Sequence, residues 1–307
     1  MTSANEKFQF VKIDEFASEH ISAPHYSYWK SVFKQFFKSK LAIGMLIMAA
    51  IIFSISMIQP LFSHYDPMSS PNIGDFSIRF NRPNLTYWFG TDHWGNSLFD
   101  AVWSGARTSI TIALLATSIN MTVGILVGAV WGYNKKLDKY LLEIYNVIAN
   151  VPFLLVAIML MYVLGPGFWQ LIFVLTMTEW LSVAYFIRTQ VMIIRDREYN
   201  LVSRTLGTNS VRMITRNILP FLTSVIVTLL SREIPSIISS ESFLSFLGVG
   251  LPPQITSLGK LISIYITYYG TYPYLFWIPV AVLASLSVSF YIVGQTFADA
   301  SDPKTHR

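Results

Sequence analysis

Several stretches of this chain carry no charged residue for longer than a bilayer is thick. Leu41 to Phe62 runs 22 residues, Thr108 to Asn134 runs 27, and Ile144 to Thr178 runs 35. About 20 apolar residues are enough for a helix to cross the hydrocarbon core. A chain built this way is all-α and polytopic, because lipid leaves no partner for an unpaired backbone group. The composition agrees: 53% apolar, only 13% charged, and a mean hydropathy of +0.48, where a soluble domain carries about 25% charged residues. Cysteine is absent, which excludes disulfides and thiolate metal sites. A net charge of +5 would suit a nucleic-acid binder. In a membrane protein it reflects basic loops on the inner side, and no nucleic-acid partner is expected.

Taken in order, residues 1–40 form a polar N-terminal segment of mixed charge, unlike a cleavable signal peptide. Trp29, Val32, Phe33, Phe36 and Phe37 share one helical face, while Lys30, Lys34 and Lys38 run down another. That pattern predicts a basic amphipathic helix lying on membrane lipid. A body of six spans follows over 41–298, and residues 299–307 are a short polar tail. The first span is Leu41–Phe62. Residues 63–104, rich in Asp, Pro and Gly, make a large loop. Within it, Asp92-His93 lacks a third ligand nearby, and no metal is expected. The second span, Thr108–Asn134, carries Gly124, Gly128 and Gly132 at every fourth position, a stripe that lets another helix approach closely. Lys135 to Glu143 reads as a short charged loop. Gly165-Pro166-Gly167 divides the 35-residue run into a third span ending near Leu164 and a fourth over 168–187, with Pro152 kinking the third or marking its start. Glu179 then lies inside the fourth span, either a functional carboxylate or a packed, hydrogen-bonded one. The fifth span covers about 217–238 and contains Arg232 and Glu233, with Glu241 just beyond. The sixth covers 273–298.

Lysines and arginines set the orientation. With the N-terminus inside, 17 fall on inner segments and only Arg79, Arg82, Arg107 and Lys260 outside, so both termini are placed in the cytoplasm. The basic stretch 188–216 is then cytoplasmic too. Two short helical patterns meet there at Gly207. Tyr199, Val202 and Leu206 share one face before it, and Val211, Ile214 and Ile218 share one after it. Gly207 suits a helix stop in the left-handed region, and Thr208 or Asn209 can cap the next helix.

Gly207 and Leu219-Pro220 resemble, in type and spacing, the cytoplasmic signature loop of ABC importer permeases, whose pattern is Glu-Ala-Ala, three residues, Gly, then Ile-x-Leu-Pro. Leu201, Val202 and Ser203 stand in place of the Glu-Ala-Ala triplet. Three further stretches are similar to the second-permease branch of oligopeptide (Opp/Ami-type) and dipeptide importers: Phe89-Gly90-Thr91-Asp92-His93-Trp94-Gly95, Gly105-Ala106-Arg107, and Glu241 to Pro253. Asn96 and Ser97 replace the Arg-Asp that usually ends the first, as in diverged Gram-positive members. The resemblance spans roughly residues 40–300. It implies the type I ABC importer permease fold in a bacterial plasma membrane. It also implies a heterodimer with a second homologous permease, two cytoplasmic ATPases that bind ATP and Mg, an extracellular peptide-binding lipoprotein, and an oligopeptide substrate. ATPase coupling would fall to Glu198, Tyr199, Leu201, Val202, Ser203, Arg204, Leu206, Gly207, Leu219 and Pro220.

The chain has no phosphate-binding loop of its own. Its only Gly-Lys, Gly259-Lys260, lacks the other residues of the motif, so it is not expected to be an enzyme. Residues 179, 232, 233 and 241 are the candidates for the substrate path. The alternatives are an ion-gradient-driven transporter, for which buried charges are typical, and an ABC permease for dipeptides or nickel.

Overall fold

The computed structural model describes residues 28–63, 65–69 and 74–301; the start of the N-terminal segment and the end of the tail lie outside the described residues. Among the described residues, twelve α-helices follow one another: α1 Tyr28–Phe36, α2 Lys40–Phe62, α3 Leu98–Tyr133, α4 Lys135–Ala149, α5 Phe153–Leu164, α6 Phe168–Met177, α7 Glu179–Arg195, α8 Glu198–Thr205, α9 Ser210–Arg212, α10 Thr223–Phe246, α11 Leu258–Tyr265 and α12 Pro273–Ser301. Among the described residues, five segments are long and apolar enough to cross a membrane: α2, α3, α6–α7 together, the run from Ser210 to Phe246, and α12. The pair α4 and α5, bent by 78° at Asn150–Pro152, makes a sixth if it is taken as one broken span.

Several helix ends differ from the sequence reading, always where a polar residue caps or extends a helix. The loop after α2 ends at Ser97, not 104, because the Ser97 hydroxyl accepts from the Asp100 amide and starts α3. The charged stretch 135–143 is not a loop. Asn134 caps it, accepting from Lys136 N at 3.0 Å, and Asp138 in its first turn pairs with Arg188 of α7. The fourth span continues to Arg195 and is interrupted at Thr178. The fifth starts at Ser210 and ends at Phe246, which puts Glu241 inside α10 rather than beyond it. Its entry is irregular. Pro220 has no amide to donate, and a π-turn at Met213–Ile218 passes into a 3-10 turn at Leu219–Leu222 before α10 begins.

The glycine stripe of α3 meets α7 of the same chain. A Cβ added at Gly124 would lie 2.6 Å from Val183 Cβ, and one at Gly132 would lie 2.6 Å from the Arg188 carbonyl oxygen. Helix backbones this close gain dispersion contacts that larger residues would forbid. Met121, Ala129, Val183, Ile187 and Val191 form the core of that seam. A larger core joins α2, α3, α6, α10, α11 and α12 around Ala106, Ile110, Leu171, Leu244, Leu258 and Leu286. Helix α1 is only partly interfacial: Val32 and Phe36 are buried against Ala42 and Ala300, while Trp29, Phe33 and Phe37 stay exposed.

Candidate functional site

The region 195–222 is a short helix pair whose second half is anchored in the α3–α7 core by Met213, Ile218 and Leu222, while its first half is tied to the body by polar bonds. Arg195 is 5% exposed. Its guanidinium donates to the Gly132 carbonyl at 2.7 Å and to Asp196 at 2.8 and 3.1 Å. These bonds hold the Asp196 carboxyl below its usual range, with burial opposing and Lys135 and Arg204 adding to the effect. Asn200, 2% exposed, donates to the Ile194 carbonyl at 2.8 Å. It thereby satisfies one of the open carbonyls at the end of α7 and turns α8 away from that axis.

Helix α8 presents its apolar side chains outward. Tyr199, Leu201, Val202 and Leu206 are all exposed, Leu206 at 81%. The Leu206, Gly207 and Thr208 amides return to the carbonyls of Val202, Arg204 and Ser203, and Gly207 sits at φ +86°. That is the glycine-terminated stop read from the sequence. A Cβ at Gly207 would meet nothing within 4 Å, so backbone conformation, not crowding, demands glycine there. Asn209 caps the following turn by accepting from the Arg212 amide at 2.8 Å. Asn217 reaches back to the Ser203 hydroxyl at 3.3 Å, and the Tyr199 and Phe221 rings lie 5.9 Å apart. Glu198 opens α8, where a carboxylate complements the helix dipole. The Arg204 guanidinium lies over the Tyr133 ring, and Tyr133, Lys135, Lys136 and Arg204 line a groove of about 820 Å³ between the α3–α4 junction and residues 204–214.

The other sequence candidates separate. Glu241 is fully enclosed. It accepts from the Ser109 and Ser245 hydroxyls at 2.8 Å each. This carboxylate braces α10 against α3, and no surface is open for a substrate to touch it. Arg232 is exposed. Glu233 accepts from Asn120 of α3 at 2.9 Å. Glu179 lines a cavity of about 320 Å³ between the breaks at 150–152 and 178. Sequence reading missed Arg195, Asn200 and Asn120. Their polarity inside apolar surroundings was the available signal.

The Asp92 motif is a structural knot. Asp92 accepts from the Trp94 and Asn96 amides at 2.8 Å each and from the Tyr265 hydroxyl at 3.2 Å. Burial pushes the Tyr265 pKa well above its ordinary value, so the phenol keeps the proton it donates. Lys260, in the lone Gly-Lys, donates to the Pro252 and Ile255 carbonyls at 2.6 and 2.8 Å.

Comparison with known proteins follows the same lines. Residues 120–307 match the profile of the binding-protein-dependent transport system inner membrane component. Residues 27–83 match the N-terminal transmembrane domain of oligopeptide transport permease C. The chain is 53% identical to the oligopeptide transport system permease protein AmiD of Streptococcus pneumoniae, covering 100% of this chain and 99% of that one. It is 32% identical to OppC, the oligopeptide transport system permease protein of Bacillus subtilis, over 94% of each. Among solved structures, a chain of the inward-facing MetNI methionine ABC transporter aligns with a TM-score of 0.54 at 17% identity, covering 67% of this chain and 96% of that chain, which is a likeness of fold alone. A helical body with five candidate spans, or six if the bent pair counts as one, carrying a glycine-stopped helix pair and matched over most of its length, makes this chain a member of the binding-protein-dependent transport system inner membrane component family.

Proposed function

We propose that this chain is one of two related permeases in an ATP-driven importer of oligopeptides and that it couples to its ATPases through α8. The observation that carries the reading is the outward apolar face of α8, set on a rigid stalk by Arg195 and Asn200. The oligopeptide class rests on the two relatives and on the N-terminal profile. In this reading the protein sits in a bacterial plasma membrane with both termini in the cytoplasm, as its lysines and arginines favour. ATP and Mg are held by partner ATPases, and an extracellular lipoprotein delivers the peptide. Closure of the ATPase dimer moves α8, and rigid-body tilting of the spans opens the path to each side in turn. Glu179, Glu233 and Arg232 border that path; Glu241 is a brace.

Gly207 tests the coupling role. Asparagine tolerates the left-handed region and valine does not. In the reconstituted importer, Gly207→Asn should keep more than half of peptide uptake. Gly207→Val should lose at least ten-fold while ATP hydrolysis continues. Unchanged uptake per ATP in Gly207→Val removes α8 from the coupling path. Uptake that follows a proton gradient and ignores ATP replaces the whole reading with an ion-driven one.

A further inference from the structure

Helix α1 and the turn after it carry three stripes at four-residue spacing, and each stripe keeps to one side of the helix. Val32 and Phe36 are buried against Ala42 at the start of α2 and Ala300 near the end of α12. Trp29, Phe33 and Phe37 come next around the helix, each about half exposed. Lys30, Lys34 and Lys38 follow, and all three are exposed. The helical bonding runs on past Phe36, since the Phe37 amide donates to the Phe33 carbonyl at 3.0 Å and the Lys38 amide to the Gln35 carbonyl at 3.2 Å.

No carboxylate answers the lysines. Among the described residues, none lies within 4.0 Å of Lys30, Lys34 or Lys38; the ion pairs present use Lys135, Arg188 and Arg195. Helix α1 contains no acidic residue of its own. Asp299 borders a hollow together with Lys38, but it accepts from Gln295 of its own helix at 3.0 Å.

The depth of α1 is set by α2. That span has 23 residues, about 35 Å of rise against a hydrocarbon core of about 30 Å. Its first residue, Lys40, therefore stands at headgroup level, and α1 is joined to it through residues 37–39 alone. Leu41, Ile47 and Ile51 are exposed, so the apolar surface of α2 begins where that of α1 ends. On its protein side α1 is fastened to the end of α12. The Tyr28 hydroxyl donates to the Ser301 carbonyl at 2.7 Å, and the Phe297 ring lies 5.8 Å from those of Phe33 and Phe36.

We infer that α1 is a docking site for anionic phospholipid, with Trp29, Phe33 and Phe37 set among the acyl chains and Lys30, Lys34 and Lys38 taking the headgroup phosphates. An aromatic stripe beside a row of unanswered lysines complements a surface that is apolar on one side and anionic on the other. A free anion would use the lysines and leave the aromatics without a role. Lipid that holds α1 also secures the end of α12, because the two are clamped together. The inference goes beyond the importer reading and does not depend on what is carried.

The test uses the whole importer, with its partner permease and ATPases, in nanodiscs of phosphatidylcholine alone or with phosphatidylglycerol as about a third of the lipid. Wild type is compared with K30Q/K34Q/K38Q and K30R/K34R/K38R. The readouts are the phosphatidylglycerol retained per complex after transfer to detergent and the unfolding temperature of this subunit. Basic groups elsewhere bind equally in all three and cancel in the comparison. Phosphatidylglycerol should raise the wild-type unfolding temperature by about 3 °C or more. The glutamine variant should lose that rise, retain about three-fold less phosphatidylglycerol, and match wild type in phosphatidylcholine alone. The arginine variant keeps the charges and should behave as wild type. A rise that persists in the glutamine variant overturns the inference. So does an equal fall in both lipids, which gives the lysines to a protein partner or to the chain ahead of α1. So does a wild-type rise produced in phosphatidylcholine by inorganic phosphate alone. None of these outcomes touches the importer reading, and a wild-type complex that moves no peptide would overturn that reading while leaving the lipid result standing.

Discussion

Replacing Gly128 by alanine should loosen the seam between α3 and α7. The new Cβ would lie 2.9 Å from both Ala184 Cα and Ile187 Cβ, and closer still to the Ala184 carbonyl oxygen, where ordinary contact starts at 3.4 Å. Two of those atoms are main chain and cannot rotate aside, so α7 has to retreat by roughly 0.5–1 Å, which forfeits a quarter to a half of each dispersion contact along the seam. With about 0.1–0.2 kcal/mol per atom pair and on the order of 30 pairs, the loss is about 1–3 kcal/mol, the usual range for an overpacked core. Gly44 is the internal control. It is also inside a helix, α2, but nothing lies within 4 Å of its added Cβ. Alanine there should gain about 0.5–1 kcal/mol from helix propensity. The assay is the temperature at which half of the detergent-purified protein stops running as a single species. Gly128→Ala should fall by about 3–8 °C, and Gly44→Ala should hold or rise. Equal losses in the two variants, or none at Gly128, would refute the claim that close backbone approach sets this seam.

Glu241 should tolerate glutamine better than alanine. Glu241→Ala leaves the Ser109 and Ser245 hydroxyls without their acceptor and should cost about 2–4 kcal/mol, read as a lower melting temperature with Glu241→Gln in between. Asp196 makes the root of α8 acid-sensitive. Its carboxyl is held low chiefly by hydrogen bonds from Arg195, so its support is complete above the unfolded pKa, near 4, and is lost as pH falls through the lower folded value. Amide exchange across 196–206 should therefore quicken below about pH 4, and Asp196→Asn should show that fast exchange at every pH. Arg195→Lys, which cannot reach the Gly132 carbonyl and both Asp196 oxygens at once, should lower peptide uptake several-fold while ATP hydrolysis persists; unchanged uptake per ATP would show that the clamp is not needed for coupling.

The spans were legible because a charge-free run longer than a bilayer has few other ways to exist in water. Their ends were less so. The 135–143 stretch was read as a loop from its charges, although Leu137, Tyr140, Leu141 and Ile144 repeat at helical spacing and Asn134 is a good cap. Composition outweighed periodicity there, and helices do run past the membrane boundary. At α8 the stop and the cap were visible, since glycine and asparagine act on their own neighbours. The ties at its root were not. Arg195 reaches a carbonyl 63 residues away, and no local pattern announces such a partner. The glycine stripe showed that some helix had to come close. That the helix is α7 follows from Val183, Ala184, Ile187, Arg188 and Val191 sharing one face, a face whose small and β-branched residues look ordinary until the stripe is set against them. Glu241 looked like Glu233 in the sequence, a carboxylate near a span. Four serines in the neighbourhood make it a brace, and two of them come from other elements.

Helix α7 is where the two halves of the functional reading meet. Its first residue is Glu179 at the membrane cavity, and its last is Arg195 at the root of α8. Seventeen helical residues separate the carboxylate from the clamp, about 25 Å of rod. Only Asp196 and Arg197 stand between that rod and α8, and Asn200 closes the joint by bonding to Ile194. A joint this short and this well tied has little slack in which a push on α8 could be absorbed. The rod cannot bend away from α3 either, because three glycines hold the two backbones in contact along its length. Displacement at α8 therefore has to appear as movement of α7 and α3 together. The elements that can yield are the ones with interrupted hydrogen bonding: the break at Thr178, the hinge at 150–152, and the π-turn and 3-10 turn leading into α10. Two of those three border the cavity that holds Glu179, so under the proposed coupling, motion driven from α8 is released beside Glu179.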